Sequence, residues 1–147
     1  MKSAVIDASV ALKWYIPEVH SEPALSVLSE QQAGKLTFHV PDLFLCEAGN
    51  ILWKKAWKSE IRLTEAREII RSLIAVPKVI HSSEIFISYA IGIAASLKRS
   101  VYDCLYLSLA AYLDCSMLTA DKKLFTALSN TSWKDSIQWI ETVGRKS

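Results

Sequence analysis

Four acidic residues stand where an α/β chain can gather them into one reactive site: Asp7, Glu47, Asp103 and Asp121. Asp7 ends the short apolar run KSAVID and precedes ASVALKWY, so it closes a strand and opens a helix. Asp121 closes SMLTAD ahead of KKLFTALS in the same way. Asp103 sits in the first turn of SVYDCLYLSLAAYLD, an otherwise apolar helix. Glu47 lies within DLFLCEAGNILWKKAWKSE between Leu45, Cys46 and Ala48, and Asn50, three residues on, makes that face a polar notch. Carboxylates crowded into a cleft of low dielectric raise one another's pKa. A divalent cation removes the conflict, and carboxylate oxygens suit the hard ions Mg²⁺ and Mn²⁺. Such ions clamp a phosphate and activate water for in-line attack.

Each position also has a plainer use. Asp7 and Asp121 are good N-caps, Ser100-Val101-Tyr102-Asp103 fits the S-x-x-D form that starts a helix, and Glu47 can be an exposed helix residue. A cap does not exclude a ligand, and the set says more than any single member. In a parallel sheet the places these acids occupy converge on one edge, the carboxyl ends of the strands, where ligands bind near a switch in strand order.

The remaining pattern supplies such a sheet. LTFHVP, KVIHS and SIQWIE read as further strands. SEPALSVLSEQQAG reads as a helix with Ser21 as N-cap, Pro23 in its first turn and Gly34 past its end. The helix from Asp42 takes that residue as its cap, LTEAREIIRSLIAV takes Thr64, and SSEIFISYAIGIAASLKR reads as one long helix. Strands alternating with helices imply a three-layer α/β/α sandwich around a central, mostly parallel sheet.

At 147 residues the chain is expected to form a single domain, 1–147, with enough apolar residues for a packed core. No apolar run approaches the roughly 20 residues that span a bilayer, and Asp7 interrupts the only candidate signal segment, so no membrane association is expected. A net charge of +2 does not by itself argue for nucleic acid. Cys46, Cys104 and Cys115 show no CxxC spacing and read as reduced, buried residues of a cytoplasmic protein.

The stretches VIDASVALKW, PDLFLCEAGNILWK, SVYDCLYLSLA and LTADKKL, in this order and spacing, resemble the PIN domain family and, within it, the small VapC-type toxin ribonucleases. The resemblance covers nearly the whole chain. It places the family's acids on Asp7, Glu47, Asp103 and Asp121, and its supporting hydroxyls on Ser9 and Thr119. It implies Mg²⁺- or Mn²⁺-dependent cleavage of RNA, a homodimer, and a cognate antitoxin that blocks the site. Cys104 stands where many relatives carry alanine, a small packing change. A catalytically inactive RNA-binding or scaffold version of the fold is the alternative.

Other enzyme classes fit less well. A phosphatase of the haloacid dehalogenase type needs a second acid two residues after the first, where this chain has Ser9. No G-x-G-x-x-G follows the first strand, which argues against dinucleotide binding. Lys13, Lys54, Lys55, Lys58, Lys98, Arg99, Lys122 and Lys123 lie near the acid-bearing segments, as guides for an RNA backbone or as ordinary solvated faces. Trp14, Trp53 and Trp57 suggest a dimer or antitoxin contact rather than plain core. His20, His39 and His81 share no metal-ligand spacing and read as local hydrogen-bonding residues.

Overall fold

The computed structural model describes residues 2–143. Its five strands form one parallel sheet: β1 (Lys2–Ile6), β2 (Leu36–Pro41), β3 (Val79–His81), β4 (Met117–Thr119) and β5 (Ile137–Trp139), in the order β3-β2-β1-β4-β5. The chain builds outward from β1 to β3, then returns to add β4 and β5 on the other side. The strand order therefore switches between β1 and β4. Their register sets Val5 beside Met117 and Ile6 beside Leu118, so the next step brings Asp7 abreast of Thr119.

The helices are α1 (Ala8–Ala11), α2 (Ser21–Gln32), α3 (Phe44–Trp57), α4 (Leu63–Ala75), α5 (Ile87–Leu97), α6 (Val101–Tyr112) and α7 (Lys122–Leu128). They bury Val5, Ile6, Phe38 and Val40 of the sheet together with Phe44, Leu52, Leu73, Leu107 and Leu109. Helix α6 is the central helix: every residue from Cys104 to Ala110 is buried. That burial explains a sequence with almost no polar stripe, and Ser108 hides its hydroxyl by donating to the Cys104 carbonyl at 2.7 Å. None of the helices in the described residues is long and apolar enough to cross a membrane.

Several expected caps are not what starts the helices. Ser21 is the first helical residue, not the cap; His20 holds the N-cap position in the left-handed region (φ 69°). The Ser21 hydroxyl instead accepts from Glu18 N–H at 2.9 Å, fastening the preceding loop. Asp42 does not cap α3. It accepts from the backbone N–H of Ser83 at 3.0 Å and from the Ser83 hydroxyl, 41 residues away. Thr64 lies inside the first turn of α4, where Glu65 reaches back to Arg62 N–H.

The expected long helix after β3 is divided: a 3-10 turn at Ser83–Ile85 precedes α5. The hold of Asp42 on Ser83 fixes this entry, and Lys98 (φ 55°) ends α5 in the left-handed region. Gly34 (φ 75°) terminates α2 as expected, with Lys35 N–H returning to the Glu30 carbonyl at 2.9 Å.

The cysteines are all free; Cys104 is buried and Cys115 half-buried, but Cys46 is exposed on α3, not buried as expected. Trp14 is core, not interface. It stacks on Phe38 at 5.3 Å between ring centres and donates its indole N–H to the Ala24 carbonyl at 2.8 Å. Trp53 and Trp57 do lie outside the core, 52% and 75% exposed.

Candidate active site

Asp7 leaves β1 at the switch point and uses both carboxylate oxygens. Oδ1 accepts from Ser9 N–H at 2.8 Å, capping α1, and Oδ2 accepts from the Thr119 hydroxyl at 2.8 Å. Thr119, at the end of β4, is fully buried, and its oxygen also accepts from Asp121 N–H at 3.0 Å. One hydroxyl thus fixes two acids to each other across the strand switch. The Ser9 hydroxyl accepts from Ala120 N–H at 3.2 Å and holds the same loop from the other side. Asp121 caps α7 through Oδ1, which accepts from Leu124 N–H at 3.1 Å.

Asp103 and Glu47 arrive from helices. Ser100 caps α6 by accepting from Asp103 N–H at 3.1 Å. The Asp103 carboxylate is met by the Ser100 hydroxyl and by a long hydrogen bond from Arg99 Nη2, at 3.3 Å. Glu47 enters from α3 beside Tyr106 of α6. Glu47 Oε1 and the Tyr106 hydroxyl are both buried, and neither closes a hydrogen bond of normal geometry among the described residues. The caps are therefore real, and the acids still face one another.

Their electrostatics show the proximity. Burial pushes the Glu47 carboxyl up to about 7; the adjacent Tyr106 hydroxyl draws it back, and the charges of Asp7 and Asp103 push it further up. Asp7 is raised by burial and by Asp103, against the hydrogen bonds from Ser9 and Thr119. Asp103 is raised by burial and by Asp121, and the Arg99 ion pair does not overcome that burial. Burial also holds the Tyr106 phenol far above its ordinary value, with Asp7, Glu47 and Asp103 adding to the effect.

These residues fit a hard divalent cation. The donors are oxygens only, the buried Glu47 oxygen is met only by the Tyr106 hydroxyl, and Asp7, Glu47 and Asp103 are each held above their ordinary values. Among the described residues no three His, Cys, Asp or Glu side chains stand together as a ready metal site. Mg²⁺ keeps several waters and needs only one or two carboxylates plus phosphate oxygens.

Asn50 does not join the group. It is exposed, and its side chain makes no hydrogen bond to the acids among the described residues; the notch expected beside Glu47 is formed by Tyr106 instead. The sequence offered one usable sign for Tyr106: it lies three residues after Asp103, one turn along the same helix face. His39 and His81 pair with each other at 2.9 Å on β2 and β3, and His20 pairs with Glu141 at 3.2 Å. A concavity of ≈ 840 Å³, lined by Lys2, Ser3, Asp114 and Gln138 among others, contains none of the four acids.

Thr119 gives a direct test of this architecture. Thr119→Val leaves Asp7 Oδ2 and Asp121 N–H without their partner. The expected loss of stability by urea unfolding is about 1–3 kcal/mol. Calorimetric Mn²⁺ affinity is expected to fall about 10- to 100-fold, as for other residues that hold ligands in place. Thr119→Ser keeps the hydroxyl and should retain most of both.

The PIN domain profile matches residues 4–129, which spans all four acids, Ser9 and Thr119. Ribonuclease VapC3 of Pyrobaculum aerophilum is 33% identical over 122 residues, covering 82% of this chain and 90% of its own length. The crystal structure of PAE2754 from Pyrobaculum aerophilum superposes with a TM-score of 0.68 at 20% identity, over 96% of this chain and 85% of that one. VapBC2 from Rickettsia felis, crystallised with a DNA fragment from its promoter, superposes at 0.64 and 12% identity, over 93% and 98%. The two structures speak for the fold; the profile, which runs through the acid-bearing segments, and the sequence relative decide the family, and the chain belongs to the PIN domain family.

Proposed function

We propose that this protein is a Mg²⁺- or Mn²⁺-dependent endoribonuclease, the toxin of a toxin-antitoxin pair, acting in the cytoplasm. The observation that carries the reading is the meeting of Asp7, Glu47, Asp103 and Asp121 at the β1/β4 switch, where Asp7, Glu47 and Asp103 are all held above their ordinary values by burial and by one another or Asp121. Its similarity to Ribonuclease VapC3 supports RNA as the substrate.

In this reading the four acids hold the ion, and Thr119 and Ser9 keep Asp7 and the Asp121 loop in place for it. A bound ion would supply charge stabilisation at the scissile phosphate and would acidify a water for in-line attack. Glu47, whose carboxyl burial holds up to about 7 without the ion, must give up its proton to join the ligands. The rigid sheet edge and the buried helix α6 fix the acids before substrate arrives, which spares that cost during the reaction.

The test is cleavage of end-labelled transfer RNA and a mixed single-stranded RNA with Mg²⁺, with Mn²⁺ and with chelator. Metal-dependent internal cuts are expected. A folded protein that neither cuts RNA nor binds metal would overturn the reading in favour of an inactive scaffold.

Two apolar surfaces support protein partners. Ile87 and Ile91 lie four apart on α5, 44% and 56% exposed, on a helix apolar nearly all round. They offer a face to a second copy. Trp53 and Trp57, with ring centres 5.3 Å apart, offer another to a second copy or to an antitoxin. Sedimentation should show a dimer that Ile91→Asp converts to a monomer; a monomeric parent protein would remove the α5 interface.

A further inference from the structure

We infer that Arg99 is a substrate-binding residue of this site, placed to grip a backbone phosphate of the bound RNA through the part of its guanidinium that Asp103 leaves free. The inference rests on the endoribonuclease reading above and adds a residue to it.

Most other basic side chains near the acids are engaged elsewhere or stand clear of them. Lys13 pairs with Glu18 at 3.0 Å, and Lys55 lies between Glu18 and Glu60. Lys122 sits over the rings of Phe125 and Trp139. Lys54, Lys58, Lys98 and Lys123 are exposed. Among the described residues, Arg99 is the cation whose charge bears on the buried acids, through Asp103.

The backbone gives Arg99 little freedom. Lys98 turns the chain in the left-handed region at the end of α5, and Ser100 immediately caps α6. Arg99 is thus pinned at the corner between two helices, with its side chain only 26% exposed. It spends one donor on Asp103, at 3.3 Å, longer than a strong charge-assisted bond and not a two-pronged fork. Its Nε is buried with no acceptor.

Nε is closed to solvent, so a phosphate would meet the amino groups of the guanidinium, of which Asp103 holds only Nη2. Guanidinium presents its donors in a planar fork that matches two phosphate oxygens. A phosphate approaching four carboxylates is also repelled, and a fixed positive charge at their edge offsets that repulsion along with the cation. The competing account makes Arg99 only a permanent counter-ion of Asp103, and the two differ in what RNA binding does when the residue is changed.

The experiment measures anisotropy of a short fluorescein-labelled single-stranded RNA with Mn²⁺ over a salt series. An Asp121→Asn background silences cleavage, and Arg99→Gln and Arg99→Lys are compared with it. Arg99→Gln is expected to weaken binding about tenfold and to reduce the slope of log affinity against log salt by about 0.7, one single-strand phosphate contact. Arg99→Lys should keep the slope and recover only part of the affinity, because lysine is a point charge. A merely structural role would lower the melting temperature without changing the slope.

Unchanged RNA affinity and slope in Arg99→Gln would overturn the inference alone and leave Arg99 as the counter-ion. A background protein that binds no RNA would overturn it together with the nuclease reading. Should Arg99→Gln not fold, Arg99→Lys decides: several-fold weaker binding at an unchanged slope supports the fork, and unchanged affinity overturns it.

Discussion

Asp7→Asn is expected to lower metal-dependent RNA cleavage by about 10³-fold or more, while the folded protein remains intact. The rate estimate follows from a cation's several kcal/mol of transition-state stabilisation, at about 1.4 kcal/mol for each factor of ten. The intact fold follows from the hydrogen bonds. The asparagine carbonyl still accepts from Ser9 N–H and so still caps α1. The amide then faces the Thr119 oxygen, which already accepts from Asp121 N–H, so the Asp7–Thr119–Asp121 link weakens without losing its backbone geometry.

The charge change works in the protein's favour when metal is absent. Asp7 is held above its ordinary value by burial and by Asp103. An uncharged residue removes that conflict, so urea unfolding in chelator should show stability unchanged or raised near neutral pH. Activity lost with stability kept is the signature of a ligand; a joint loss of both would mark Asp7 as a capping residue only. Full metal-dependent cleavage by the variant would remove Asp7 from the site.

How far the sequence discloses this site depends on the distance over which each residue works. Asp7, Asp103 and Asp121 are legible because each cap is local: residue type, the neighbouring N–H and the start of an apolar helix all lie within four positions. The parallel sheet is legible for a similar reason, since alternating strands and helices leave few ways to cover both faces. The strand order that brings Asp7 beside Thr119 needs β1 and β4 to pair across more than a hundred residues, and spacing alone does not specify that neighbour. The resemblance to PIN domains pointed to Thr119; its double hydrogen bond had to be seen.

The misreadings share a cause. Ser21, Asp42 and Thr64 all have the residue type of a cap, but tertiary partners or a shift of the helix start by one or two residues took them elsewhere. Asp42 is the clearest case, because Ser83 is remote in sequence and outcompetes the local N–H groups of α3. Tyr106 stayed hidden for the opposite reason. Its neighbours are apolar, so its hydroxyl reads as an ordinary core aromatic until Glu47 is found beside it. Trp14 is buried by its contacts with Phe38 and Ala24, whereas Trp53 stays exposed on α3, a difference that composition does not reveal.

Glu47→Gln is expected to reverse part of the pH dependence of the metal-free protein. Glu47 titrates at about 7 in the folded state against 4.5 in the unfolded chain. The folded protein therefore binds more protons between these values, and its stability falls as pH rises through them. This contribution is fully present below about 4.5 and lost above about 7. Asp7 and Asp103 are raised as well and act in the same direction. His39 and His81 are lowered, by burial first, so they act oppositely: their contribution is present above the ordinary histidine value of 6.5 and lost as pH falls below it. The histidines are common to both proteins, so the difference between parent and variant isolates Glu47. In chelator, Glu47→Gln should be the more stable protein at pH 7.5, and the advantage should vanish near pH 4.5. Divalent cations add the complementary effect. An ion that requires ionised Glu47 must displace its proton, so Mn²⁺ binding near pH 7 should release protons in the parent and fewer in the variant. Calorimetry in two buffers of different ionisation enthalpy measures that release. Equal proton release by both proteins would place Glu47 outside the ion's ligands, and a flat stability difference across the pH range would mean that its carboxylate is already solvated.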